Sequence, residues 1–590
     1  MPCLVLAVAC GNGQPITQVR DGGTSLPPPD AGSGTDAGND AGTDMGSDGG
    51  TDGGSDAGTD GGTDAGTDED AGTPEPYTLA PLQTQVPHYE LTIPEATLQK
   101  FSADPYTEEQ PGQFKFDGRT YNVLVRLRGG SSRFFPKRSW RVELPDGVSI
   151  EGRRKLNLVA EMCDRTLMVE KLGYDLLEAA GADGPRASYV QLFLNGADQG
   201  VYVDIERVDK KFTKRVGYSD PDPTLYRSGN QDSELKLFTA PYQAPWEKET
   251  NETVPGMADL EAFLQLVNRG AEPTFVQDME RTFQLDQYLR VMAVDALISM
   301  DIMSDAGIYM IHNQLTDVWQ LITWDYNNSA SRFWPTYALG SNPYTQRPIP
   351  AFTVDDPRVE FFYNQRNAGR PEYLPAFNTL ATRIVRNPQL RQRYLAHLEE
   401  ALDQLFTEEQ LHPRIDAMHR LISPLVATDP YVNMDTEGMA DPDGLAKFSE
   451  SAVYLKKYVT GRIAFLRAEI RRMRAETLGL GFDRVDANQG TLRLKNFGTT
   501  EVELAGLVLT TDLRRAKDLQ PNLPARTLAP GESVDLNAAE LGLQLSPSGE
   551  LGIFTSGRLW GPSDIFFYGR LAAGAVYQRD EGGEHPWRVQ

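Results

Sequence analysis

The stretch Asp301 to Asn327, DIMSDAGIYMIHNQLTDVWQLITWDYN, decides how the rest of the chain is read. Just upstream, Leu285, Tyr288, Leu289, Met292, Ala296 and Met300 recur at helical spacing, which predicts an amphipathic helix delivering Asp301 to its C-terminal end. Ile308 to His312 and Val318 to Thr323 alternate or run apolar and β-branched about Asn313 to Asp317, which predicts a hairpin ending at Trp324-Asp325. An acid after a helix and a second acid after a hairpin suit phosphoryl transfer, where one carboxylate meets a hydroxyl nucleophile and the other holds a divalent ion at the nucleotide phosphates. The same two acids alone would also suit glycoside hydrolysis. Acids at element ends are common, so the reading depends on the other segments.

The chain has 590 residues, more than one core comfortably supports, so two or more domains are expected. Its formal charge is −26, but the segment from Arg20 to Glu75 holds fourteen acids and one base, or −13, so half of the imbalance lies in one low-complexity stretch. No basic run interleaved with aromatics appears, which argues against a nucleic-acid partner. Cys3 and Cys10 fall in the apolar N-terminal stretch and Cys163 stands alone in the remainder, so no disulfide framework is expected there. The six histidines show neither HExxH nor zinc-finger spacing.

Residues 1–10, MPCLVLAVAC, read as the end of a secretory signal. Ala7-Val8-Ala9-Cys10 resembles a bacterial lipobox, which implies a lipid anchor through Cys10. Residues 11–76 contain near-repeats of Asp, Ala, Gly and Thr with almost nothing to bury, so a disordered, self-repelling linker is expected. From Tyr77 to about Asn230 strands predominate. Tyr121 to Arg128 and Arg138 to Leu144 enclose Gly129-Gly130-Ser131-Ser132-Arg133, a loop whose backbone N–H groups could cradle phosphates, with Arg126, Arg128, Arg133, Lys137 and Arg141 close in sequence. A glycine-containing hairpin with solvated arginines would look similar. Asp164 to Ala180 reads as a helix with Asp164 as N-cap, on which Glu170 and Lys171 could face a site. Ser188 to Leu194 and Gly200 to Glu206 read as a hairpin about Asn195-Gly196-Ala197-Asp198.

RLRGGSSRFFPKRSWRVEL, KLNLVAEMCDRTLMVEKLGYDLLEAAG, YVQLFLNGADQGVYVDIERVDK and the Asp301 and WDYN segments together resemble the CotH family, the spore-coat-protein-H type of atypical protein kinase. The resemblance covers about Tyr77 to Met473. It implies ATP and Mg²⁺ or Mn²⁺ as cofactors, Lys137 reaching the phosphates with Glu206 orienting it, and Arg128 to Arg133 and Arg141 at the nucleotide. It further implies Asp301 as acceptor of the substrate hydroxyl proton and Asp325 as metal ligand. Three departures stand out: Gly130 replaces the family's Asn, Asn327 replaces the second acid of WD-x-D, and Ser304 and Asp305 stand where an Asn is usual. Asp305 either restores the missing charge or the site is impaired.

From Pro255 to Met473 the pattern is mostly helical, with apolar stripes over Leu260 to Leu266, Leu285 to Met300, Leu390 to Leu405 and Ala446 to Met473, and Phe333, Trp334, Tyr337 and Tyr344 in a long irregular stretch are candidates for substrate binding. From Phe482 onward short strands separated by Asn-Phe-Gly, Ala-Pro-Gly and Ser-Pro-Ser-Gly turns predict a small β-sandwich resembling the lamin-tail (LTD) domain, an interaction module. The expected class is thus α+β: a two-lobed atypical-kinase-like domain over residues 77–478, then a β-sandwich over 480–590. The expected function is that of a cell-envelope lipoprotein, at the outer membrane or surface, phosphorylating envelope or surface proteins. The alternative is a catalytically impaired scaffold or adhesin of the same fold.

Overall fold

The computed structural model describes residues 77–228, 234–237, 246–300, 307–329, 343–360, 377–580 and 587–590. The folded chain opens with β1 (His88–Thr92), α1 (Glu95–Ala103), β2 (Gln110–Phe116), β3 (Arg119–Leu127), β4 (Trp140–Glu143), β5 (Lys155–Val159), α2 (Val169–Ala179), β6 (Ala187–Leu194) and β7 (Ala197–Ile205). The seven strands close into a barrel in the order β1-β2-β3-β4-β5-β7-β6, antiparallel throughout except where β6 meets β1. Successive residues of a strand point to opposite faces, so Val123, Val125 and Leu127 of β3 fill the interior with Trp140, Val142, Leu156 and Leu158. The same alternation turns Arg126 and, across the ladder from it, Arg141 to the outer face. The β6–β7 turn is tighter than expected: only Asn195-Gly196, with φ of 50° and 81°, the conformation that matches strand twist, form it, and Ala197 and Asp198 already pair in β7.

The helix predicted from Asp164 begins five residues later, at Val169. Asp164 is fully buried and spends its carboxylate on the N–H groups of Thr166 (2.8 Å) and Val169 (3.0 Å) and the Thr166 hydroxyl (2.9 Å), which folds residues 164–168 into turns instead of helix. Leu167, at φ 57°, is incompatible with a continuing right-handed helix.

After α3 (Lys210–Arg215), strands β8 (Thr224–Arg227), β9 (Glu247–Lys248), β10 (Ile308–Asn313) and β11 (Val318–Thr323) form a second sheet in the order β11-β10-β8-β9. The β10–β11 hairpin forms as expected except that Asn313, read as part of the turn, pairs with Val318 as the last residue of β10, with Ile308 opposite Thr323 at the other end. Helices α4 (Ala258–Arg269), α5 (Glu272–Thr282), α6 (Leu285–Ile298), α7 (Thr379–Arg386), α8 (Pro388–Gln404), α9 (Glu408–Val426) and α10 (Gly444–Ala475) pack with that sheet, α2 and the outside of the barrel into the largest core. The sequence reading missed α5, α7 and α9, the last of which carries Pro413 and Pro424 internally.

The C-terminal region consists of β12 (Leu480–Asp486), β13 (Thr491–Asn496), β14 (Val502–Glu503), β15 (Leu507–Thr510), β16 (Thr527–Leu528), β17 (Ser533–Asn537), β18 (Gly549–Thr555), β19 (Asp564–Tyr568), β20 (Tyr577–Arg579) and β21 (Trp587–Val589). A five-stranded sheet, β17-β13-β12-β20-β21, shares a core with the three-stranded β15-β18-β19 through Phe482, Leu494, Leu551, Ile553 and Phe566. The three-stranded sheet is also covered on its other face. Phe554, Ile565 and Phe567 pack there against Phe352, Val354, Val359 and Phe377 of the preceding region.

Candidate active site

Four separate segments bring charged groups together beside α2. Arg128 follows β3, Glu161 lies just past β5, Glu170 is in the first turn of α2, and Asp325 and Asn327 follow β11. Glu161 and Glu170 are 3% and 2% exposed. Among the described residues neither carboxylate oxygen of Glu161 nor Oε2 of Glu170 has a hydrogen-bond partner, and Glu170 Oε1 accepts only a long bond from the Tyr174 hydroxyl at 3.5 Å. The Arg128 guanidinium lies 5.3 Å from the centre of the Trp324 ring and within electrostatic reach of both glutamates. Burial, the Glu161 charge and Asp325 hold the Glu170 carboxyl well above the usual range. Burial also raises Glu161, with Arg128 and Asn327 pulling the other way. Two buried acids and Asp325 against one guanidinium disfavour full ionisation, which is the physical cause of the upward direction at Glu161 and Glu170.

The backbone holding these groups is unusual. Glu161 has φ 52° and Asp325 φ 61°, left-handed conformations that non-glycine residues adopt at a cost of order 1–3 kcal/mol each. Tyr326 anchors the Asp325 turn. It is fully buried, its hydroxyl shares a hydrogen bond with the Thr323 hydroxyl at 2.8 Å, and it donates to Asp295 Oδ1 of α6 at 2.9 Å. Gly173 of α2 lets the ring come that close, since a Cβ there would lie 2.6 Å from Tyr326 Cδ1. Trp324 N–H donates to the Gly307 carbonyl at 3.1 Å, and a Cβ on Gly307 would lie 3.7 Å from Asp325 Oδ2. The turn is therefore fixed from α2, α6 and the start of β10.

Other expected site residues are placed differently. Lys137 does not pair with Glu206. Its ammonium donates to Asp429 Oδ2 at 2.6 Å and the Val201 carbonyl at 2.7 Å, over the Tyr202 ring. Asp429 reaches in from the turn after α9 because Gly200 has no Cβ, which would stand 2.0 Å from Asp429 Oδ2. Glu206 is held instead by Arg215, whose Nε lies 2.8 Å from Oε1 and Nη2 2.6 Å from Oε2, and it accepts the Arg186 N–H. Both expected partners are thus satisfied by groups the sequence order did not suggest. Lys171 is likewise taken by Asp175 and the Ala187 carbonyl.

In the glycine loop, Ser131–Phe134 form a 3₁₀ turn. Gly129 at φ 100° leaves room for the Ser132 hydroxyl, which a Cβ would meet at 2.0 Å, whereas Gly130 faces open space. Arg133 braces the loop itself, donating to the Gly129 carbonyl and to Pro105 O at 3.2 Å. Asp301 and Asp305 lie outside the described residues, as do Phe333, Trp334 and Tyr337. Among the described residues no three acids, histidines or cysteines converge as a complete metal shell. Asp325 and Asn327 nevertheless offer the oxygen donors that Mg²⁺ or Mn²⁺ prefers, and Mg²⁺ usually completes its shell with phosphate and water. Glu161 went unremarked in the sequence; the only signal was an acid just beyond a strand end.

The family model for the CotH kinase protein matches residues 125–466, more than half of the chain. Inner spore coat protein H of Bacillus subtilis (strain 168) is 24% identical over 388 residues, covering 64% of this chain and 99% of that protein. An inner spore coat protein H-like protein of the same organism is 23% identical over 54% of this chain and 83% of its own length. Spore coat protein homolog 1 of Rhizopus delemar is 22% identical over 51% of this chain and 47% of its own. The crystal structure of the Helicobacter pylori proinflammatory kinase CtkA aligns at 9% identity over 63% of this chain and 94% of that one, with a TM-score of 0.23 that carries no argument. On the extent of the family match, the chain belongs to the CotH kinase protein family.

Proposed function

We propose that the chain is an exported, membrane-tethered kinase that transfers the γ-phosphate of ATP to hydroxyls of envelope or surface proteins. The observation that carries this reading is the convergence from four segments of two buried acids, Glu161 and Glu170, with the half-buried Arg128, Asp325 and Asn327, which together offer a cation to bind anions and a net surplus of carboxylate. Arg128, and not Lys137, is the cation offered to the phosphates. Asp325 and Asn327 would hold Mg²⁺ or Mn²⁺, which supplies neutralisation of phosphate charge. Glu170 and Glu161 set the position of Arg128 by their charge, and Trp324 beneath the guanidinium fixes its plane. Asp301, by its match to the family pattern, takes the hydroxyl proton. The body is read as a barrel lobe followed by a helical lobe, the C-terminal sheets as a lamin-tail-like β-sandwich, and Cys10 as the lipid attachment.

The test is incubation of purified protein with γ-labelled ATP and Mn²⁺. Label should appear on protein and be lost in Asp325→Ala. No label on the wild type, or equal label on both, contradicts the reading. A second reading, an inactive scaffold of the same fold, is favoured by Asn327 in place of a second metal-site acid. It predicts no thermal shift with ATP and Mn²⁺, whereas binding at one hundred times Kd stabilises by about 2.7 kcal/mol.

A further inference from the structure

The carboxylate oxygens left without partners at Glu161 and Glu170 are the least satisfied atoms of the site. Both oxygens of Glu161 and Oε2 of Glu170 are buried and accept no hydrogen bond from any described residue. Buried carboxylates are ordinarily hydrogen-bonded, paired with a cation or bound to a metal ion, so each such orphan calls for an explanation. Arg128 is one guanidinium within reach of both glutamates, and it can balance only one of them. The other glutamate and Asp325 are left over.

The chain between the two glutamates is braced so that they stay together. The Glu161 carbonyl accepts the Asp164 N–H at 3.2 Å, and the Asp164 carbonyl accepts the Leu167 N–H at 3.1 Å. The Asp164 carboxylate then takes the Val169 N–H at 3.0 Å, one residue before Glu170. Asp164, the third acid of this segment, is thereby spent on the frame. Glu161 and Glu170 thus come from the barrel side, whereas Asp325 and Asn327 follow β11 of the second sheet. The two pairs of oxygen donors lie within electrostatic reach of each other.

We propose that Glu161 and Glu170 hold a divalent cation of their own, Mg²⁺ or Mn²⁺, which binds without nucleotide and apart from the ion assigned to Asp325 and Asn327. The inference rests on the kinase reading above for the role of the ion, and on the orphaned oxygens for its place. The donors are carboxylate oxygens, which hard divalent cations prefer, and two of them suit an ion that keeps water on its remaining positions. Charge points the same way. Glu161, Glu170, Asp325 and Arg128 carry a net −2 when all are ionised, which one divalent ion cancels. With the glutamates neutralised, the positive charge of Arg128 is left for phosphate; without the ion, a nucleotide meets an anionic cluster. Occupation of the glutamate pair is therefore a precondition for tight nucleotide binding.

The experiment strips the purified full chain with EDTA, desalts it and titrates it with MnCl₂ alone, reading free Mn²⁺ by electron paramagnetic resonance and recording melting curves in parallel. The expected result is a saturable Mn²⁺ site without nucleotide and a melting temperature that rises with the ion. Glu161→Gln and Glu170→Gln should each weaken that site by roughly tenfold or more and lose the melting shift. In EDTA they should melt no lower than the wild type, because each removes an uncompensated buried charge. Asp325→Ala should keep the site. No Mn²⁺ on the wild type overturns the inference, and that measurement needs no variant. Equal binding by the wild type and both glutamine variants also overturns it, as does binding lost in Asp325→Ala and kept in Glu161→Gln. Phosphate transfer from ATP, measured on the same wild-type sample, reports separately on the kinase reading: transfer without a nucleotide-independent ion leaves that reading standing, and an ion held by the glutamates without transfer leaves the cation site standing.

Discussion

Arg128 and Lys137 lie nine positions apart and do different work. Lys137 and Asp429 form a pair with side chains 3% and 5% exposed, tying the barrel to the turn after α9. Removing one partner of such a pair leaves an uncompensated buried charge, so Lys137→Met should cost about 3–5 kcal/mol, and adding Asp429→Leu should recover most of it; thermal unfolding of the two variants checks this. Arg128→Ala should leave the melting temperature nearly unchanged and reduce phosphate transfer by roughly a hundredfold or more, as expected when a group acting on developing charge is lost. Asp295 gives a pH signature. Burial pushes its carboxyl up to about 7, with the Tyr326 hydroxyl bond opposing. The folded state therefore holds a proton between about pH 4 and 7 that the unfolded chain releases, and stability falls as pH rises through that window. Asp295→Asn keeps an acceptor for Tyr326, so it should be nearly neutral at pH 4 and stabilising by about 1–3 kcal/mol at pH 8, read from melting curves at both pH values.

At the scale of elements, the site depends on how closely α2 meets the turn after β11. Gly173→Ala places a methyl 2.6 Å from the Tyr326 ring. It should destabilise by about 1–3 kcal/mol and, by shifting Asp325, reduce transfer more than stability; comparing the melting temperature with the transfer rate separates the two effects. This is also where sequence reading had most and least purchase. The β10–β11 hairpin and the Asn195-Gly196 turn follow from period-two alternation and a positive-φ dipeptide, both local signals. The start of α2 was misplaced because Asp164 bonds the N–H groups of Thr166 and Val169 within a turn, and an N-cap and such a turn look alike in sequence. The pairing of Lys137 was misread because its acid lies 292 residues away and is admitted by the missing side chain of Gly200. No local pattern carries that information.

For the whole molecule, the C-terminal sheets are packed into the body more deeply than an appended module would be. Arg383 has a fully buried side chain, its guanidinium 3.5 Å from the Phe275 ring centre and 4.6 Å from that of Phe567 of β19, and it donates to the carbonyls of Val267 and Gly270. Arg386 pairs with Asp355 and donates to Pro562 O at 2.7 Å. Truncation after Ala475 would expose Phe352, Val354, Val359 and Phe377 and uncover Arg383. A loss of several kcal/mol corresponds to roughly 10 °C, so the truncated protein should melt at least that much lower or fail to stay soluble. An independent module would leave the melting temperature of the body unchanged. The most direct test of the account is calorimetric titration of ATP with Mn²⁺ into the wild type, Arg128→Ala and Asp325→Ala. The account predicts saturable binding to the wild type, weakened at least tenfold in each variant whose fold is intact by melting curve; equal binding by all three, or none by the wild type, would contradict it.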